Sequence, residues 1–499
     1  MNQALRKTAL AVACASGMAG AMQAEAANWT MLQGTEPSSA AGRIKMWGFV
    51  EATYQKDTSK ENKYLGTPGN NYRNPPPALI GPDLDSQSGF NIRRARLGAR
   101  GEGFPLDSKV NYFLLAEFGN NAITHGDGSS AKLTDASITL NHIKGARVRV
   151  GAFKVPTFEE GYQAIHVFDY VNFTEVANQM MLERFPNHQA TLNRNNVGGF
   201  NYGDLNQESP YNRFEQPVGA FRDVGVQVFD MFKVNNWEHT YAIMVGNGNG
   251  VNFSDNDSNK DRYLYWSSEL VFGGAGPFRD GLKLFAWSQS GKRTLYNPAT
   301  PWATGAGADP EPAGKTEYDR KRAGVGVKYK RSNYRVTAEY LKGEGMIFLG
   351  PDNPSFTITA PCVGGAPGAT FDGDGNPTCT ADGNRPLLAD GRKGKANGWY
   401  LEGGYKIPNT NWEVDARYDV YNRLTDAKQL AGPCAFEFTF KTKTLGVQYH
   451  FNKKTRLTMN AAFRDFEDGN CPAPAAGGNP NNNLSTVDKR YGVQLRHVF

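Results

Sequence analysis

The end of the chain restricts its fold more than any other stretch. Tyr491, Val493, Leu495, His497 and Phe499 fall on one face of an extended strand, while Arg490, Gln494 and Arg496 fall on the other. The same period-two alternation recurs from residue 44 onward in segments of about ten residues. Clear cases are 44–54, 109–118, 135–142, 323–329, 334–342, 412–421 and 457–464. Less regular ones are 92–102, 147–153, 224–233, 237–246, 262–272, 282–289, 399–407 and 438–451, and the terminal strand brings the set to sixteen. Lipid offers a backbone no hydrogen-bond partners, so alternating strands can span a bilayer only as a closed cylinder.

The connections give a second, independent pattern. Short joins near 104–107, 144–145, 235–236, 273–280, 331–333, 408–411 and 452–454 alternate with long ones near 57–89, 120–130, 155–220, 248–260, 291–317, 343–397, 424–435 and 467–485. Short turns on one side and long loops on the other, with an even strand count, place both chain ends on the short-turn side. Aromatics flank the short turns (Tyr329, Tyr334, Trp412, Phe451), as an interfacial girdle requires. The predicted fold is all-β, a 16-stranded antiparallel transmembrane β-barrel.

The amino terminus agrees with export. Arg6 and Lys7 precede a weakly apolar run, and Ala24-Glu25-Ala26 offers a small-x-small cleavage site, so residues 1–26 read as a signal peptide and 27–499 as one barrel domain. The apolar run is shorter than the roughly 20 residues a spanning helix needs. Removing Arg6, Lys7 and Glu25 with the leader changes the net charge from +6 to +5, too mild a balance to argue for nucleic acid. A secreted sandwich or β-helix would carry similar alternation with its apolar face inward. Alternation alone does not say which face is inside; the strand count, the long–short rhythm and the terminal Phe favour the barrel.

Two resemblances refine this reading. The terminal strand looks like that of Gram-negative outer-membrane barrels, where a closing aromatic belongs to the assembly signal. Three stretches, Phe90-Asn91-Ile92-Arg93-Arg94-Ala95-Arg96-Leu97-Gly98, Arg147-Val148-Arg149-Val150-Gly151-Ala152-Phe153-Lys154-Val155-Pro156 and Arg222-Asp223-Val224-Gly225-Val226-Gln227, resemble the phosphate-selective porin O and P family. That resemblance implies a homotrimer in the outer membrane, each barrel with its own pore. It also implies an inward-folded third external loop, here 155–220, acting as a constriction. The implied solutes are small, hydrophilic or anionic, and no cofactor is expected.

A pore does no bond-making, so its chemistry is the charge and width of its narrowest section. Parity points Arg94, Arg96, Arg100, Arg147 and Arg149 into the lumen as a basic wall on neighbouring strands, with Arg320 and Arg322 heading a second column (Lys328, Lys330) and Arg456, Arg464, Arg490 and Arg496 a third. The resemblance gives such arginines the role of guiding anions, and guanidinium forks suit phosphate or carboxylate oxygens. Inward parity also holds ten acids, Glu51, Glu117 and Asp135 among them, that can pair with these arginines. Loop 155–220 holds eight acids against three bases, including Glu159, Glu160, Asp169 and Glu175. Folded inward, those acids would face the arginine wall and set up a transverse field. Segments 158–165 and 173–182 have spacing that allows short helices.

Other motifs are weak. Asp372-Gly373-Asp374-Gly375-Asn376 resembles the start of a calcium loop, but Pro377 replaces the required Gly and no Glu occupies the twelfth position. Cys362 with Cys379, and Cys434 with Cys471, are candidate disulfides in an oxidising compartment, with no adjacent His to complete a zinc set. The leading function is passive diffusion of small hydrophilic solutes and ions, with an anion or phosphate preference as the finer expectation. A weakly selective general or sugar porin is the alternative. A barrel enzyme lacks a supported Ser/His/acid set, and an adhesive or sheath-like barrel lacks a partner signature.

Overall fold

A computed structural model describes residues 28–32, 44–59, 88–103, 107–121, 131–182, 221–251, 255, 257–274, 279–297, 314–347, 370–371, 377–378, 394–426, 438–467 and 487–499. Its strands are β1 (Lys45–Asp57), β2 (Ser88–Gly103), β3 (Asp107–Glu117), β4 (Lys132–Leu140), β5 (Arg147–Lys154), β6 (Arg222–Val234), β7 (Trp237–Gly246) and β8 (Asp261–Gly273). They continue as β9 (Asp280–Asn297), β10 (Gly314–Arg331), β11 (Tyr334–Glu344), β12 (Lys395–Lys406), β13 (Trp412–Arg423), β14 (Phe438–His450), β15 (Thr455–Glu467) and β16 (Arg490–Val498). Each pairs antiparallel with its sequence neighbours, and β1 also pairs with β16, so the barrel closes with no free edge. A separate two-stranded ladder joins Thr370–Phe371 to Pro377–Thr378.

The seam shows why the terminal residues matter. Phe49 lies opposite Val498 and Asp57 opposite Arg490. Past the strand end, the Phe499 N–H donates to the Gly48 carbonyl at 3.0 Å. A Cβ on Gly48 would lie 2.5 Å from the Phe499 ring and 2.4 Å from the Arg96 carbonyl, so only glycine lets that ring lie across β1.

Exposure resolves which face is inside. Along β16 the apolar set Tyr491, Val493 and Leu495 is exposed, and Arg490, Gln494 and Arg496 are buried. The same holds on β2 (Leu97 out, Arg94 and Arg96 in) and β7 (Ile243 and Val245 out, Glu238 and Thr240 in). A sandwich would reverse this, so the oily face is the one that meets lipid. At the short-turn end, rings pair around the outer wall: Tyr334 with Tyr405 at 4.7 Å, Trp412 with Tyr449 at 4.7 Å and Tyr449 with Phe451 at 4.9 Å. Asn235 and Ser332 take positive φ in the two-residue turns, as tight hairpins require.

Two departures from simple alternation have physical causes. A register shift between Glu51 and Ala52 leaves Arg93 as an extra residue in β2, so Arg93 and Arg94 both turn inward and are both buried. A second shift, between Leu115 and Ala116, does the same for Thr134 and Asp135. Strands β9 and β10 run 18 residues each, well beyond the predicted 282–289 and 323–329. At about 3.4 Å per residue and a tilt near 40°, such strands rise far past a ~25 Å apolar band. Above the lipid both faces are polar, as in Lys292, Arg293, Asp319 and Arg320, so the alternation that marks a strand disappears.

Candidate functional site

After β5 the chain does not stay outside. Residues 155–182 enter the lumen, where short helical turns at Glu159–Tyr162, Ile165–Val167 and Ala177–Met181 alternate with extended backbone. Turns this short have little stability of their own; wall side chains hold them. Lys154 donates to the Gly161 carbonyl at 2.8 Å, and Arg93 to the Val171 carbonyl at 2.6 Å. Arg496 donates to the Phe168 carbonyl at 2.8 Å, and Arg322 to the Met180 carbonyl at 3.2 Å. Asn460 accepts from the Val171 N–H at 2.6 Å, and Asp419 from the Glu175 N–H at 2.9 Å. These anchors lie on β2, β5, β10, β13, β15 and β16, so the segment crosses the lumen. Residues 183–220 lie outside the described residues.

The loop acids do not meet the arginine wall of β2–β5, contrary to the expected transverse field. Glu159 pairs with Lys283 at 2.6 Å and Lys328 at 3.3 Å, Glu160 with Arg417 at 3.2 Å, and Asp169 with Arg335 at 3.0 Å and Arg456 at 2.9 Å. The wall arginines have partners of their own. Arg94 binds Glu51 at 2.6 Å, Arg96 binds Glu117 at 2.7 Å, and Arg147 lies 3.6 Å from Asp230. Sequence parity found these groups but not their partners, because the path of a loop is set by tertiary contacts.

The remaining candidates fall into different settings. Arg100 is half-buried on β2. Arg320 is buried, and Arg322 is caged by the carbonyls of Met180, Lys321, Glu344, Gly345 and Met346, so it anchors loops. Arg149 is fully buried and does not face pore water. Its guanidinium donates to Gln227 at 3.1 Å and to the Thr30 carbonyl at 3.0 Å, and it sits 4.3 Å from the Phe229 ring centre. Cys362, Cys379, Cys434, Cys471 and Asp372 to Asn376 lie outside the described residues.

Burial tunes the loop acids in opposite directions. It pushes Glu160 up to about 8, with Arg417 opposing and Glu402 adding to the rise, and it pushes Glu175 up to about 7, with Asp419 adding. Burial also raises Glu159 and Asp169, but the cations beside each outweigh it and hold both carboxyls below their usual range. His166, half-buried against Trp47 and Phe49, is depressed to about 3, chiefly by desolvation and then by Arg496, and stays neutral.

Sequence reasoning missed one occupant of the lumen. Residues 28–32 form a turn of helix inside the barrel, with Asn28, Trp29, Thr30 and Met31 all buried. Trp29 donates to Glu159 at 3.2 Å, and the Tyr162 hydroxyl donates to Thr30 at 2.8 Å. This turn covers Arg149. Its only sequence signal is an apolar Trp-x-Met outside the strand pattern.

Among the described residues, an opening lies between Asn172–Asn178 of the loop and the wall of β13–β16. It is lined by Arg417, Arg464 and Arg490, by Glu175 and Asp419, and by amide, hydroxyl and small side chains with Phe173. Arg464 and Arg490 share Asp57 at 2.7 and 2.9 Å. We call this opening the eyelet.

Residues 81–181 match the family described as phosphate-selective porin O and P, a span that holds β2 to β5 and the lumen segment. No curated protein matches the chain. Among solved structures, the outer membrane channel DcaP of Acinetobacter baumannii is 13% identical over 94% of this chain and 100% of its own, with a TM-score of 0.45. OmpF of Salmonella typhi, in complex with daunomycin, is 12% identical over 91% of this chain and 97% of its own, at 0.46. OmpT of Vibrio cholerae, in its trimer form, is 11% identical over 92% of this chain and 100% of its own, at 0.44. The closed sixteen-stranded barrel and its oily exterior are the architecture of an outer-membrane β-barrel channel, and the stretch from β2 through the lumen segment matches the phosphate-selective porin O and P family.

Proposed function

We propose that the barrel passes small hydrophilic solutes by passive diffusion through the eyelet, with a mild preference for anions. The observation that carries this is the charge balance there. Arg417, Arg464 and Arg490 surround the opening, while Glu160 and Glu175, both raised, are largely protonated below pH 7. Asp57 and Asp419 remain, which leaves one excess positive charge. That suits a general anion preference better than tight phosphate capture, which calls for several cations with no carboxylate among them. Reversal potentials in a KCl gradient across planar bilayers test this; a cation-selective pore at pH 6 overturns it.

The weakly selective general porin is the second reading, favoured by the pairing of Arg94 and Arg96 with Glu51 and Glu117. An Arg94→Ala variant separates the two, because unchanged selectivity reduces that arginine to a wall charge. We further propose a homotrimer, on the family's precedent, and leader removal after Ala26. Crosslinking of the detergent-solubilised protein and mass spectrometry of the mature amino terminus test these. A monomer, or a different first residue, refutes the corresponding proposal.

A further inference from the structure

Seven side chains of the eyelet lining each carry a polar atom that is buried and makes no hydrogen bond to a described residue, and four of them are held in place by another of their atoms. Asn172 donates its amide to Gln55 at 3.0 Å, which aims its Oδ1 elsewhere. Asp419 uses Oδ1 on the Glu175 N–H, while its Oδ2 makes no hydrogen bond and faces Arg417 Nε at 3.8 Å. Arg490 uses Nε on Asp57 and keeps Nη2 open. Arg417 gives its two Nη groups to Glu160 and the Asn172 carbonyl, keeping Nε, which lies 3.8 Å from Asp419. Thr442 Oγ1, Thr444 Oγ1 and Asn178 Oδ1 complete the set. A buried polar atom without a partner costs about 1–3 kcal/mol. Seven such atoms around one cavity are the mark of a site arranged for a hydrogen-bonding occupant.

The mixture identifies the occupant's chemistry. Asn172, Asn178 and Asp419 offer acceptors, Arg417 and Arg490 offer donors, and the two threonines offer either. Inorganic phosphate as the dianion only accepts, so it would set its oxygens against three acceptors. Hydroxyl groups both donate and accept, and one carboxylate satisfies the guanidinium pair. Phe173 supplies an apolar face for a carbon chain. We propose that the eyelet is a binding site for polyhydroxylated carboxylates, such as sugar acids, which pause there during passage. This rests on the channel reading.

The test uses the full-length protein in planar bilayers, with gluconate, glucose and acetate added in turn at pH 6, and gluconate against inorganic phosphate at pH 8, where phosphate is mainly the dianion. Gluconate is expected to interrupt the ion current at a concentration about ten-fold below each of the other three. In Thr442→Val/Thr444→Val, gluconate blockade, scaled to that variant's own open current, should weaken about ten-fold, as expected for two lost hydrogen bonds. Asn178→Ala, on the loop and not on the wall, should weaken it about three- to ten-fold. Should the wall variant fail to assemble, the loop variant carries the test. Equal blockade by acetate or phosphate, or an unaltered gluconate response in both variants, overturns the inference while leaving the channel intact. A reconstituted protein that carries no ion current overturns the channel reading itself.

Discussion

Removing one ring from the lumen should change how much current the pore carries. Trp29 is 7% exposed, donates to Glu159 at 3.2 Å and lies 6.0 Å from the Lys328 ammonium. Ordering residues 28–32 costs roughly 1–2 kcal/mol each, about 5–10 in all. Burying Trp29 and Met31 returns roughly 6–8 kcal/mol. Hydrogen bonds from Asn28 to Thr240, Trp29 to Glu159, Tyr162 to Thr30 and Arg149 to the Thr30 carbonyl add about 1 kcal/mol apiece. The docked turn is therefore favoured by only a few kcal/mol, and Trp29→Ala removes about 3–5 of them. That shifts the docked-to-free ratio by roughly two to four powers of ten, enough to release the segment. Single-channel conductance in bilayers should rise, and tryptophan-free residues 28–32 should become accessible to added protease. Equal conductance in Trp29→Ala and in a variant lacking 28–32, both matching the parent protein, would refute the reasoning.

Three further outcomes follow. Raising pH from 6 to 9 takes Glu175 and then Glu160 through their elevated values of about 7 and 8, adding up to two negative charges beside Arg417 and Asp419. Anion preference should therefore fall with rising pH, and Glu160→Gln should remove the upper part of that change in reversal potential. Arg94→Ala takes from the fully buried Glu51 its closest cation, leaving Arg496 at 3.4 Å and the Gln494 amide at 3.4 Å, and should cost about 3–5 kcal/mol. Denaturant unfolding followed by circular dichroism should show that loss, and Glu51→Gln on the same chain should restore much of it. Gly48→Val forces either the Phe499 ring or the Arg96 backbone to move, so the heat-modifiable gel band should weaken or appear later during refolding; wild-type kinetics would rule out the packing argument.

Strand positions were legible because lipid and water impose opposite demands on alternate side chains. Leu495 and Arg496 carry that information themselves. It fails where the demand lapses: beyond the bilayer, Lys292 and Arg293 are both polar, and the last turns of β9 and β10 could not be read. It fails again at Arg93, where one extra residue costs the backbone little but reverses the parity on one side of it. The lumen acids and bases were legible as a population, and their partners were not. Glu159 meets Lys283 across 124 positions of sequence, a choice made by the path of residues 155–182 and not by local preference. The helical turn at 28–32 lacks any periodic signal, since its burial depends on a cavity that the rest of the chain must first enclose.

The doubled arginine of β2 makes that strand unequal in what it tolerates. Exchanging Arg93 for another long cation keeps every other residue on its own side. Losing that codon would make Ile92 and Arg94 neighbours on opposite faces, so plain alternation returns, Arg96, Leu97 and Arg100 keep their sides, and what disappears is the donor that holds the Val171 carbonyl. Among descendants of this gene, the kink should therefore be kept or lost together with the lumen segment that it ties to the wall.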